Sequence, residues 1–361
     1  MQDIKKIIIT APARLHFNSL KMNQSDGRGC GGIGVALESP FLRLALSRSK
    51  KTVISGGNVF LRKEAKIFAK NILESLEIQS GVKIKIINFY PNQVGLGSGT
   101  QLGLSVGKGV ALLYDKKVTL DKIASITRVA GVSGVGFYSF SHGGLVIDGG
   151  FKMGDNEIKK SFGDHSPTPP PLSCNFKISS RWKIILIAPK KTSPEISKID
   201  ENKLFIKSTP IPLEEVGTIC TNVLMGMIPS LKENDYFKFI EYLVNITNIG
   251  TKKIELELNK NTLKYINNCL SSVLDFKSVR IKGQKYKLFP LKTKNVGEKY
   301  SNDKLPYIML SSLGNTFYSI LSEEYHDVNS VLKNVKKCLP SSWTATLTGV
   351  NNKGAKIEII R

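Results

Sequence analysis

The clearest periodicity lies at Val82-Lys83-Ile84-Lys85-Ile86-Ile87, where β-branched residues alternate with lysines before the turn-forming Asn88 and Pro91. That alternation predicts a half-buried strand entering a loop. Upstream, Ile7, Ile8 and Ile9 predict a first strand running into Ala11-Pro12-Ala13-Arg14-Leu15-His16-Phe17, and Leu42-Arg43-Leu44-Ala45-Leu46 continues the β pattern. Between them, the glycine-rich segment 27–37 reads as a flexible turn entering another strand. Residues 64–77 place Ala65, Ile67, Phe68, Ile72 and Leu73 at the spacing of an amphipathic helix. Leu102, Leu104, Val106, Val110, Leu112 and Leu113, interspersed with glycines, predict a crowded helix, and 120–130 another. Farther on, 183–188 reads as a buried strand, 212–230 and 233–249 as helices (the latter capped by Asn234 or Asp235), and 307–318 as strand, turn and strand. Lysine-rich 277–304 suits an exposed hairpin or loop, and 355–360 a closing strand.

Two of these elements flank Pro91-Asn92-Gln93-Val94-Gly95-Leu96-Gly97-Ser98-Gly99-Thr100-Gln101, a loop that follows a strand and opens a helix. A helix N-terminus offers unpaired N–H groups and a positive dipole end, and glycines let backbone approach an anion without a Cβ in the way. Ser98 and Thr100 add hydroxyls. The loop therefore reads as a phosphate cradle. It is neither a Walker A loop, which needs a lysine after the last glycine, nor G-x-G-x-x-G. A second glycine-dense stretch, Ser141-His142-Gly143-Gly144-Leu145-Val146-Ile147-Asp148-Gly149-Gly150, follows Ser133-Gly134-Val135-Gly136.

The 361 residues suffice for two domains. Prolines 167, 169, 170 and 171 within 163–175 mark the predicted linker, dividing 1–165 from 176–361. A formal charge of +23, from 52 Lys+Arg against 29 Asp+Glu, suits phosphorylated small molecules, nucleic acid or an anionic surface. The lysines are scattered and form no basic arm or zinc-finger spacing, which argues against nucleic acid. Five cysteines without a Cys-x-x-Cys pair argue against a disulfide framework or structural zinc. No apolar run approaches membrane-spanning length, so the expectation is a soluble cytoplasmic protein without a membrane partner.

The loop at 91–101 resembles the Pro-x-x-x-Gly-Leu-Gly-Ser-Ser motif of the GHMP kinase superfamily, with Gly99 in place of the second serine. Gly99-Thr100-Gln101 points to one branch, the archaeal β-ribofuranosylaminobenzene 5′-phosphate synthases. The blocks 11–17, 31–37, 133–136 with 141–150, Asn222-Val223-Leu224-Met225-Gly226-Met227-Ile228-Pro229 and Ser311-Ser312-Leu313-Gly314-Asn315-Thr316-Phe317-Tyr318 resemble the same branch, in family order. Two positions depart: the run 128–132 carries only Arg128 as a base, and Asn315 stands where a proline is usual. The resemblance implies an α+β, two-domain GHMP kinase-like fold, with an N-terminal domain like domain 2 of ribosomal protein S5 and a C-terminal ferredoxin-like α/β sandwich. It implies a homodimer, Mg²⁺ and no organic cofactor.

The implied reaction is decarboxylating transfer of ribose 5-phosphate from phosphoribosyl pyrophosphate to 4-hydroxybenzoate or 4-aminobenzoate in methanopterin biosynthesis. An ATP-dependent small-molecule kinase on the same fold is the rival, and a silent ligand binder a further one. For the synthase, Gly95, Leu96, Gly97, Ser98, Gly99, Thr100 and Gln101 would hold pyrophosphate or ribose phosphate. Arg14 and Arg28 are candidate anion clamps, since a guanidinium binds phosphate bidentately. His16 and His142 would bind phosphate or handle a proton, or else be structural. Asp148 is a candidate Mg²⁺ ligand or an ordinary turn residue. Ser133 would join the phosphate contacts, and Ser311 and Ser312 would close the site from the second domain.

Overall fold

The computed structural model describes residues 4–22, 27–91, 94–127, 129, 134–152, 168–190, 209–273, 279–281, 284–286 and 307–361. Two long strands, β1 (Lys6–Lys21) and β2 (Arg28–Ser49), form the spine. They pair antiparallel, with register shifts between Pro12 and Arg14 and between His16 and Asn18. Such irregularities re-aim side chains on a strand, and here they bracket Arg14 and His16. The glycine-rich segment from 28 onward is strand, not flexible turn, because its small residues lie in the ladder opposite β1 and opposite β5 (Leu145–Asp148).

The first sheet runs in the order β14-β1-β2-β4-β3, with β3 (Val53–Gly56), β4 (Gly81–Asn88) and β14 (Lys356–Ile360). β5, β6 (Phe151–Lys152) and β7 (Leu172–Phe176) extend it from β2. Helices α1 (Val59–Ser75), α2 (Ser98–Leu113), α3 (Leu120–Ile126) and α4 (Gly134–Ser141) accompany this part. α3 stops earlier than the expected 130, where the Thr127 hydroxyl turns back to the Ile123 carbonyl at 2.8 Å. The sequence reading missed α4, hidden by its paired glycines.

A second sheet has the order β11-β12-β8-β13, from β8 (Trp182–Pro189), β11 (Met309–Leu310), β12 (Phe317–Ser322) and β13 (Trp343–Thr348). Ile184 and Leu186 of β8 join the core shared with β1 and α2, while Ile185 and Ile187 join a second core on the sheet's other face. Burial on both faces explains why 184–187 is continuously apolar. α5 (Leu213–Thr221) continues through a π-helical turn (Asn222–Met227) into α6 (Ile228–Lys232). α7 (Tyr236–Ile246) is capped by Asp235, which accepts from the Lys238 amide at 2.9 Å. α8 (Thr251–Leu258), α9 (Lys260–Cys269) and α10 (Val328–Cys338) complete the helices described. Within the lysine-rich segment, β9 (Val279–Ile281) and β10 (Gln284–Tyr286) pair as a hairpin.

The first sheet takes one strand from within the proline-rich segment and one from the far side of the expected division. β7 lies at the end of that segment and pairs with β5 of the first sheet, while β14, at the far end of the chain, pairs with β1. The remainder of the segment, 163–167, lies outside the described residues.

Candidate active site

β4 delivers the chain to the glycine loop, and Gly97 stands just before α2 in the left-handed conformation, with φ 77°. Among the described residues no side chain caps this helix. The amides of Ser98, Gly99 and Thr100, in its first turn, therefore have no intrahelical partner. Among the described residues a Cβ at Gly99 would meet nothing within 4 Å, so this end of the helix is open on that side.

Arg14 is the side chain laid against the loop. It is 9% exposed, and its Nη1 donates to the Gly95 carbonyl at 2.5 Å while its backbone N–H donates to Leu96 at 3.1 Å. A Cβ on Gly97 would stand 3.0 Å from Arg14 Cγ and 3.2 Å from Nε. Nε is buried with no partner among the described residues. Burial lowers this guanidinium's pKa from its usual value, an effect opposed by Tyr90 and Glu255. Yet guanidinium stays charged in proteins, so the site holds a desolvated cation beside a helix N-terminus. That combination attracts an anion.

The C-terminal half locks the loop from the other side. Ser311 Oγ donates to the same Gly95 carbonyl at 2.9 Å and accepts from the His16 backbone N–H at 3.2 Å. The fit between loop and turn is close: a Cβ on Gly95 would lie 2.0 Å from the Ser311 carbonyl oxygen, and one on Gly314 would lie 1.9 Å from the Val94 carbonyl carbon. Ser312 occupies the same turn with φ 55°. The Tyr90 hydroxyl, which the sequence reading overlooked beside Pro91, donates to Leu96 at 3.4 Å.

His16 is half-buried, with its Nδ1 shielded and unpartnered among the described residues. Burial, then Arg14 and Lys252, hold its pKa well below the usual range. It is therefore neutral near pH 7. Its Nε2 and Asp148 Oδ2 each stand 3.1 Å from where a Gly32 Cβ would be, so the two glycine-rich stretches converge there.

Gln101 is fully buried and donates to the Gly136 carbonyl at 2.8 Å, which ties α2 to α4. Thr100 is buried, with its methyl and hydroxyl beside Gly136. Arg28 donates to the carbonyls of Gly149 and Gly150, at 2.8 and 2.7 Å, and so pins the second glycine stretch. His142 stands apart from the loop. It is exposed beyond the C-terminal end of α4, with its Nδ1 2.7 Å from Ser141 Oγ and its ring edge-on to Tyr138. Ser133 lies outside the described residues.

Asp148 is 3% exposed, and its carboxylate accepts backbone N–H groups of Gly150, Val135 and Gly32. It thus caps the start of α4 and knots three segments, a role at odds with metal ligation. Among the described residues no cluster of three or more His, Cys, Asp or Glu could hold a metal ion. Burial pushes the Asp148 pKa up to about 7, against those N–H groups and Arg28. The folded form therefore binds a proton that the unfolded chain, near 3.8, releases. Stability carried by this proton is complete below about pH 4 and is lost as pH rises to about 7. Unfolding of wild type and Asp148→Asn in urea should show a gap that widens against wild type over that interval, by up to about 4 kcal/mol. A gap independent of pH would remove the buried-acid assignment.

The sequence reading also missed Lys252 and Glu255, which are 1% and 3% exposed and form an ion pair. In Lys252-Lys253-Ile254-Glu255 they look like a solvated helix face, and only the tertiary packing of α8 buries them.

The GHMP kinases N terminal domain family matches residues 61–144. The chain is 34% identical over 274 residues to beta-ribofuranosylphenol 5'-phosphate synthase of Methanocaldococcus jannaschii, covering 73% of this chain and 83% of that protein. It is 36% identical over 252 residues to the Archaeoglobus fulgidus protein of the same name, covering 69% and 78%. Homoserine kinase from Cytophaga hutchinsonii superposes with a TM-score of 0.62 at 15% identity, covering 98% of both chains, a likeness of fold. The α+β fold is that of the GHMP kinases, and the chain, a pentosyl-transferring enzyme, belongs to the beta-ribofuranosylphenol 5'-phosphate synthase family.

Proposed function

We propose that this enzyme joins phosphoribosyl pyrophosphate to 4-hydroxybenzoate, releasing CO2 and pyrophosphate, as a step of methanopterin biosynthesis. The observation that carries the reading is the buried Arg14 cation lying along Gly97 at the open N-terminus of α2, in a chain of this family. The relatives' name specifies a ribosylated phenol, which favours the hydroxy acid over 4-aminobenzoate.

The C1–O bond to pyrophosphate breaks and leaves an oxocarbenium-like C1. The ring carbon bearing the carboxylate attacks, pushed by the para oxygen, and a C–C bond forms. The carboxylate then departs as CO2, and its bonding pair restores the aromatic ring. The phenolic proton is retained, so atoms balance without a further reagent. The chain's part is to align the partners and to stabilise charge on the leaving group. Amides at the start of α2 and the Arg14 guanidinium would hold the pyrophosphate. Neutral His16, beside Arg14, would leave the guanidinium as the cation at that end of the site. Asp148 does not fit a magnesium site. Any magnesium would belong to the substrate, as the pyrophosphate's counter-ion.

Incubation with phosphoribosyl pyrophosphate, Mg²⁺ and carboxyl-labelled 4-hydroxybenzoate, with labelled 4-aminobenzoate in parallel, should release labelled CO2 from the hydroxy acid in step with pyrophosphate. No label from either benzoate, together with ATP-dependent phosphorylation of an alcohol, would establish the kinase reading instead.

A further inference from the structure

We propose that the buried pair Lys252–Glu255 is a positioning device for the anion loop, acting through Leu310 and Ser311. The inference rests on the pyrophosphate reading of the loop.

Lys252 Nζ donates to Glu255 and, at 3.0 Å, to the Leu310 carbonyl. Leu310 is the last residue of β11, and Ser311 follows directly. Ser311 makes the two bonds that join strand β1 at His16 to the loop at Gly95. The ammonium therefore fixes the carbonyl next to the Ser311 hydroxyl, which bridges both halves of the site.

The helix that carries Lys252 is itself held by β1. Asn18, fully buried, donates to the carbonyls of Ile246 and Ile249 at 2.6 and 3.1 Å and accepts from the Thr251 hydroxyl at 2.9 Å. Thr251 begins α8 and precedes Lys252. A closed circuit results: β1 holds α8, α8 holds Leu310, Ser311 holds Gly95, and Gly95 holds Arg14 of β1. A buried ion pair is a poor means of stabilising a fold, since apolar residues of similar volume serve as well or better. What the pair supplies here is specificity of position, the placing of Ser311.

The pair acts indirectly, so the test separates position from folding. Lys252→Met/Glu255→Gln removes the charge pair and the Leu310 bond together, so neither partner is left charged alone and the net charge around Arg14 is unchanged. The variant should keep the wild-type circular dichroism spectrum. Calorimetric binding of inorganic pyrophosphate should weaken about tenfold, the scale of one well-placed hydrogen bond. KM for phosphoribosyl pyrophosphate should rise more than kcat falls. Ser311→Ala should weaken pyrophosphate binding similarly, and adding it to the pair variant should cost little more, because both cut one circuit.

A folded pair variant that binds pyrophosphate as wild type does, or losses that simply multiply, would overturn the inference while leaving turnover by wild type intact. Should the pair variant fail to fold, Ser311→Ala decides alone: wild-type affinity there overturns the proposal. A wild-type enzyme that binds no pyrophosphate would fail the reading of the loop, and the inference with it.

Discussion

Gly97→Val is expected to abolish turnover, by at least about 10²-fold in kcat/KM, while the chain stays folded. Gly97 has φ 77°, a region in which a β-branched residue is strained by about 1–2 kcal/mol. Its new Cβ would sit 3.0 Å from Arg14 Cγ and 3.2 Å from Nε, with the two valine methyls beyond it. The guanidinium or the first turn of α2 has to move, and either shift separates the cation from the free amides. The fold survives because the position precedes the first turn of α2 and its new contacts are with one long side chain, leaving the apolar face of α2 untouched. Circular dichroism and urea unfolding would check the fold, and labelled CO2 release the activity. Turnover within tenfold of wild type would remove this loop from the site.

How much of this arrangement is written locally can be judged from particular residues. The glycine loop was legible because phosphate-binding chemistry is a property of backbone, and a run of glycines between an alternating strand and an apolar helix exposes that backbone. Arg14, His16 and Ser311 were legible only through the family pattern. Nothing near Arg14 in sequence indicates that strand irregularities on either side set it against a loop 81 residues away. Lys252 and Glu255 were not legible at all, since a lysine and a glutamate three apart on a helix usually mark a wet face. What buries them is the packing of α8 against β1 and β11, which no local pattern encodes.

The fold shows the same division. Alternation and helical spacing located β4, α1, α2 and β8. The segment 28–34 was mistaken for a turn because glycine signals turns by default, whereas here Gly32 and Gly34 lie in a strand crowded from both sides. A Cβ on Gly34 would lie 2.1 Å from the Leu15 carbonyl oxygen. Close approach, not chain reversal, is what these glycines provide. His142 shows the converse: a histidine inside a conspicuous glycine motif is exposed, because that motif turns the chain between α4 and β5.

Arg14→Met should separate function from stability most sharply. Methionine keeps an unbranched apolar stem of similar reach and removes the charge. With the cation gone, the pyrophosphate loses the guanidinium laid against its loop, and kcat/KM should fall by about 10²–10³-fold, the cost of deleting one preorganised charge stabiliser. Pyrophosphate affinity should fall with it. Stability of the ligand-free protein should hold steady or rise, because the wild type buries a guanidinium whose Nε has no partner among the described residues. A desolvated charge is a standing cost to the folded state, and a ligand that neutralises it recovers that cost on binding. Wild type should therefore gain more thermal stability from pyrophosphate than the variant does. Arg14→Lys is expected to recover only part of the activity, since an ammonium cannot reproduce the planar fork that spans Gly95 and an anion together. If Arg14→Met instead unfolds the chain, or retains activity within tenfold, the residue is structural and the anion site lies elsewhere.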